Sequence, residues 1–449
     1  MRRSSLVGWS AAAWLTLLMG SCADEPALSP ASTVMVEVTA EVSATTAATV
    51  PTAATPTTHP PPVEGLLFLP ESFRDRMVEL VEETQALRGF TFAEPLQIEG
   101  ITSQEMVRRL RDGVGNDPRL SEVDQPLFRL LGLIDPTHDW VAVLSDFRAR
   151  PIPGYYDVAS QKLWLVTTLD DPSPLEEMTL VGEIAKALVD RHLGVWRRQS
   201  RLARVGDSDY LAVLGGMAEA DATLVELLFM EGMSESAREQ VLGEAWEVAS
   251  ADLALPSFLT RSLGFASGPV LEYLQTLFQS GGWDSVNQTH RDPPDSTELI
   301  LEQGAGPADP LLLPKPDASP PEAYQLVSDS VWGQWGWNAL LASALPGEQA
   351  AVASRGWGGD RYLVFSDGEG IALVVDYLGD TAADADEMRS ALVEYIREAM
   401  DAGEPTVTDD GVEFSGATYA WLGGVDEALT FIAASDVEVG RGLRASRSG

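Results

Sequence analysis

Thr179-Leu180-Val181-Gly182-Glu183-Ile184-Ala185-Lys186-Ala187-Leu188-Val189-Asp190-Arg191-His192-Leu193 decides how the rest of the chain is read. Apolar residues at 180, 181, 184, 185 and 188 recur at helical spacing, and nothing inside the stretch breaks a helix. The polar positions carry more information. Gly182 and Lys186 stand one turn apart on one face, with the Glu183 carboxylate beside them.

That spacing is the one at which the zinc-protease helix H-E-x-x-H carries two imidazoles and a carboxylate. The segment resembles the HELTHALQDQH helix of a family of bacterial secreted metallopeptidases, with Ala187, Leu188, Asp190 and His192 in register. Here Gly182-Glu183-Ile184-Ala185-Lys186 replaces the motif, and both histidine ligands are gone. Glycine has no side-chain donor, and lysine is a cation that must lose a proton before it can ligate. Zinc is expected in relatives and not on this helix.

Downstream, Leu211 to Met230 reads as a long apolar helix holding Met217-Ala218-Glu219-Ala220-Asp221-Ala222-Thr223. It is similar to the family's A-x-x-E-G-D-A-T segment, where the resemblance makes the Glu a third metal ligand and the Asp its support. Glu219 and Asp221 remain, and Ala220 replaces the glycine. A carboxylate buried in an apolar segment needs a partner. The chain's lysines are Lys162, Lys186 and Lys315. Two arrangements stay open: the Lys186 ammonium fills the space of the lost metal and pairs with Glu219 and Glu183, or it reaches solvent and Glu219 is a surface residue.

Upstream, Arg150 to Val158 and Lys162 to Val166 form two strand-like runs about a polar turn, Asp157 to Gln161. The resemblance makes this an edge on which an extended peptide can lie, since backbone pairing needs no metal. A plain structural hairpin is the other reading. Before it come helices opening at Pro70-Glu71-Ser72, after Thr102 with Glu105 at capping-box spacing, and across Val123 to Leu133. An Arg88-Gly89-aromatic turn ends the first, as in the family.

The resemblance continues through Ser267 to Leu274, Gly281-Gly282-Trp283 and Pro293-Pro294-Asp295-Ser296-Thr297-Glu298. The family's following histidine is replaced by Leu301-Glu302-Gln303. Among His59, His138, His192 and His290 none has metal-pair spacing, and His192 is expected to satisfy a hydrogen bond beside the pivot helix. Gly304 to Pro321 is a Gly/Pro/Asp-rich loop. Beyond it lies a helix from Trp332 to Leu345 with an exposed-looking Trp332/Trp335 pair, then Gly356-Trp357-Gly358-Gly359-Asp360-Arg361-Tyr362, which matches a family signature. Hairpin Tyr362–Phe365 with Ile371–Tyr377, helix Ala383–Met400, hairpin Gly411–Phe414 with Thr418–Leu422 and a segment at Ala428–Ala433 are expected to follow.

At the front, Arg2 and Arg3 precede an apolar run and the small residues Gly20-Ser21, the pattern of a secretory signal. Cys22 is the chain's single cysteine, and Leu18-Met19-Gly20-Ser21-Cys22 resembles a lipobox. Residues 22–63, rich in Ala, Thr and Pro, cannot bury a core and read as a disordered stalk. The formal charge of −38, from 68 acidic and 30 basic residues, argues against nucleic acid and anionic membrane surfaces as partners. A solubilised exported surface accounts for it.

The expected fold is α+β: a mainly helical zincin-like body at 64–303 with an edge hairpin ahead of the pivot helix, a loop at 304–321, and a C-terminal portion at 322–449 with a small antiparallel sheet and a covering helix. Residues 1–21 are the signal peptide. The expected function is that of a catalytically inactive, peptidase-like lipoprotein on the extracytoplasmic face of the cell membrane, with no cofactor. Membrane contact is through the lipid on Cys22 alone, and a peptide or protein partner is accommodated at the retained cleft. The degenerate site is Gly182, Lys186, Glu219 and Asp221, with Glu183 vestigial. The alternatives are a hydrolase with a rebuilt or different site and a structural envelope protein without ligand. Neither a G-x-S-x-G elbow nor a cysteine nucleophile supports the hydrolase.

Overall fold

The structure is a computed structural model that describes residues 62–115, 118–137, 139–148, 152–195, 198, 207–250, 255–303 and 312–447. The signal segment, Cys22, the stalk up to residue 61, His138 and residues 304–311 of the loop lie outside the described residues.

The fold is α+β, a mainly helical body followed by an antiparallel sheet. Helix α1 (Glu71–Arg88) ends where Gly89 takes φ 74°, a left-handed cap that returns its N–H to Gln85 O. Strands β1 (Val63–Glu64), β2 (Leu96–Ile101), β3 (Gly154–Asp157) and β4 (Lys162–Val166) make a four-stranded sheet in the order β1-β2-β4-β3. Strand β3 runs antiparallel to β4, and the other two pairings are parallel. The expected hairpin is thus present, its turn closed by Gln161 at φ 56°. Leu96-Gln97-Ile98 alternates buried and exposed, so β2 was available in the sequence and is an addition to the expected elements.

The pivot stretch is the second half of helix α2 (Pro174–Leu193). Ser173 accepts from Glu176 N while Glu176 accepts from Ser173 N, Pro174 opens the first turn, and Gly194 at φ 62° closes the last. Every residue from Met178 to Asp190 is buried. A helix buried all round is a core element, enclosed here by α1, β3 and the long helix α3 (Ser208–Gly232). Helix α4 (Leu271–Arg291) is broken at Gly281 and Gly282, the latter at φ 62°, so the Gly-Gly-Trp segment is a kink between two helical pieces. Helix α5 (Thr297–Leu301) follows, capped by Ser296. The helix expected over Val123 to Leu133 is shorter, Gln125–Leu130, after a wide turn at Leu120–Asp124.

In the C-terminal portion β5 (Gln325–Ser330), helix α6 (Gly333–Leu341), β6 (Trp357–Ser366), β7 (Ile371–Gly379), helix α7 (Ala382–Ala399), β8 (Pro405–Thr408), β9 (Gly411–Ser415), β10 (Tyr419–Gly423), β11 (Ala428–Ala434) and helix α8 (Val437–Arg447) occur in that order. The seven strands lie in the order β5-β6-β7-β11-β10-β9-β8, all antiparallel. One face packs under α7 together with Val123, Leu127 and Leu130 of the body, in one continuous apolar core. The Tyr395 hydroxyl, on α7, donates to Leu131 O at 2.7 Å. Helix α8 seals the other face through Leu443.

Trp332 and Trp335 are not exposed. Trp332 sets its ring edge-on to Trp337 at 4.7 Å, and Trp335 leans on Phe265 at 5.2 Å. Gly333, at φ 72°, turns the chain at the start of α6 and folds the first indole back onto the core.

Candidate functional site

Helices α2 and α3 bring Gly182, Glu183, Lys186 and Glu219 together, and leave Asp221 apart from them. The Lys186 ammonium lies 3.1 Å from Glu183 Oε1 and 2.8 Å from Glu219 Oε2, and the three side chains are 2–4% exposed. Glu183 turns its second oxygen to strand β3, accepting from Tyr156 N at 2.7 Å. Burial disfavours charge on Lys186, but the carboxylates of Glu183 and Glu219 outweigh it and hold the amine charged. Burial pushes the Glu183 carboxyl up, and Lys186 pulls it back. Of the two open arrangements for Lys186, the structure contains the buried pair.

A carboxylate absent from the sequence reading completes the cluster. Glu226, seven residues beyond Glu219 and so on the same face of α3, is fully buried. Neither of its oxygens has a hydrogen-bond partner among the described residues. A Cβ built on Gly182 would stand 1.8 Å from Glu226 Oε1 and 2.8 Å from its carboxyl carbon. Glu226 therefore fills the room in which a side chain at position 182 would lie. Desolvation pushes its carboxyl well above the ordinary range; Lys186 opposes the shift, and Glu183 and Glu219 add to it.

Asp221 does not support Glu219. Two residues on, it points about 200° further around the helix and serves a separate network. Arg88 Nε and Nη2 donate to its two oxygens at 2.7 and 2.8 Å, and His290 Nε2 lies 2.8 Å from Oδ2. Arg88 also donates to Asn287 at 2.7 Å, and its guanidinium lies 4.1 Å from the Trp283 ring centroid and 4.5 Å from that of Phe90. Desolvation opposes ionisation of Asp221, but Arg88 and His290 overcome it and lower its pKa. The Arg-Gly-aromatic turn, the Asp of the α3 segment and the Gly-Gly-Trp kink thus converge on one structural knot.

The remaining motifs are joints as well. Thr297 donates through Oγ1 to Asp209 at 2.6 Å and accepts from Trp335 N, tying α3 to the C-terminal portion. Asp360 accepts from the backbone of Trp332 and Gly333 and from the indoles of Trp337 and Trp357, at 2.8–3.0 Å. His192 donates to Thr91 O at 2.8 Å and stacks on Phe90, which satisfies it without a ligand.

Strand β3 is not an open shelf. Gly154, Tyr155 and Tyr156 are buried, Tyr156 N is taken by Glu183, and the Tyr156 hydroxyl donates to Asp190 at 2.9 Å. Strand β3 is the end strand of its sheet, and α2 packs directly against it.

These residues do not fit a zinc ion. A cation already sits between the carboxylates, Gly182 offers no donor, and Glu226 crowds the place where one would stand. Among the described residues no group of three or more His, Cys, Asp or Glu side chains is arranged to hold a metal, and no helix is long and apolar enough to cross a membrane. Compared with known proteins, residues 323–444 match a family described as a domain of unknown function (DUF8575), which spans β5 to α8. No curated protein and no solved structure matches the chain.

Proposed function

We propose that this chain is a catalytically inactive, peptidase-like protein, anchored through lipidated Cys22 on the extracytoplasmic face of the cell membrane and held off it by the Ala/Thr/Pro-rich stalk. Its work is non-covalent, the engagement of a peptide or protein partner. The observation that carries the reading is the Lys186 ammonium seated between Glu183 and Glu219. A general base must reach the proton it takes. Glu183 is instead committed to an ammonium and a backbone N–H, with about 2% of its surface exposed.

Two measurements test the proposal together: zinc content of the purified chain after incubation with zinc, and hydrolysis of a peptide library. Zinc below roughly a tenth of an equivalent and no hydrolysis are expected. One equivalent of zinc with metal-dependent cleavage overturns it. Crosslinking in the intact envelope then tests for a partner, and recovery of the chain alone argues against binding.

A further inference from the structure

We infer that Lys186 and Glu226 together keep metal out of the space between α2 and α3, and that Glu226 is the residue closing position 182. The inference rests on the inactive reading above and extends it to a residue that no motif marks. Two observations carry it. The Glu226 carboxyl is buried without a hydrogen-bond partner among the described residues, a costly state that the apolar face of α3 does nothing to relieve. It also abuts the bare Cα of Gly182, where even a methyl group would fall inside van der Waals contact. The glycine and the glutamate are complementary, one supplying the volume that the other occupies.

Putting histidines back at 182 and 186 therefore does not rebuild a two-histidine site. An imidazole at 182 would have to expel a carboxyl that has α2 in front of it and the ion cluster of Lys186, Glu183 and Glu219 beside it. Removing Glu226 at the same time leaves the space free, with Glu219 in place as the third donor and Glu183 beside it.

The test uses the whole chain carrying Gly182→His with Lys186→His, with and without Glu226→Ala. Each variant is titrated with zinc and its bound metal is measured after gel filtration, while circular dichroism reports folding. The double variant is expected to bind below roughly a tenth of an equivalent and the triple about one. Stoichiometric zinc on the double variant, or none on a folded triple variant, overturns the inference. Should either fail to fold, a cycle of Gly182→Ala and Glu226→Ala decides. Gly182→Ala alone lowers the melting temperature by about 3 °C or more, and in the Glu226→Ala background its effect falls to less than about a third of that. Equal effects in the two backgrounds also overturn it. Zinc on the unaltered chain sinks the inactive reading itself, whereas zinc on the double variant alone sinks only the role of Glu226.

Discussion

Arg88 and Asp221 form a two-pronged ion pair with neither side chain exposed, although 133 residues separate them in sequence. The fork of the guanidinium matches the two carboxylate oxygens, and Trp283 and Phe90 cover its faces. Arg88→Met strips Asp221 of its principal counter-charge and leaves His290 as its remaining side-chain contact. The variant should lose about 3–5 kcal/mol in chemical denaturation. A loss under about 1 kcal/mol, the level of an exposed pair, would show that the knot is not a stabilising contact.

Lys186→Met asks the same question of the degenerate site. It leaves the Glu183 and Glu219 carboxylates facing each other in a dry interior, and the expected loss at neutral pH is again about 3–5 kcal/mol. Acid should return part of it, because protonation removes the unpaired charge. Unchanged thermal stability would mean that the lysine is a passenger.

Much of this was legible and the rest was not, for identifiable reasons. The pairing of Lys186 with Glu219 was legible as one of two arrangements, because a charged residue inside an apolar helix has few ways to be satisfied. The helix end at Gly89 was legible through capping chemistry, which is local, whereas the Ser173 cap and the Gly194 stop of α2 went unread. Arg88 read as an ordinary helix end because its partner comes from another helix. Glu226 went unread, since only the packing of α2 shows that Gly182 opens a hole for it. Strands β5 and β8 went unread because they are sheet edges with exposed runs, Gln325 to Val327 and Thr406-Val407, that lack strict alternation. Helix α8, Gly- and Arg-rich, also went unread, and it is Leu443 that packs it on the sheet.

Cys22 makes a prediction independent of the folded body. Metabolic labelling with a fatty acid should mark the chain, and Cys22→Ala should abolish the label and release the protein into the soluble fraction. Retention of the variant in the membrane would require another anchor.

Glu298 contributes to the pH dependence of stability. It is 2% exposed, and burial followed by the nearby charges of Asp380 and Glu302 pushes its carboxyl up from 4.5 to about 8. A carboxyl with a raised folded pKa costs nothing below the unfolded value, where both states are protonated. The cost grows as pH rises from 4.5 and is complete above about 8. Glu298→Gln should therefore match the parent near pH 4 and exceed it in stability at pH 9. The gap should open between those values, as read from denaturation midpoints at several pH values. A gap that is constant with pH would assign the effect of the substitution to packing and not to the buried proton.

Asp360 supports the longest-range prediction. Its two oxygens accept from two backbone amides and two indoles, and together these fix the start of α6 against the start of β6. Burial raises its pKa to about 6 against the pull of those donors. Asp360→Asn keeps the shape but puts an amide donor where four donors already point, while Asp360→Ala leaves all four unmet. Each unmet buried donor costs about 1–3 kcal/mol. The alanine variant should therefore unfold the C-terminal portion under conditions in which the parent is folded, exposing Trp337 and Trp357 to a red shift in fluorescence. Because that portion shares its core with Val123, Leu127 and Leu130, the body should lose protection in the same transition. Two separate transitions would mean that the shared core does not couple them.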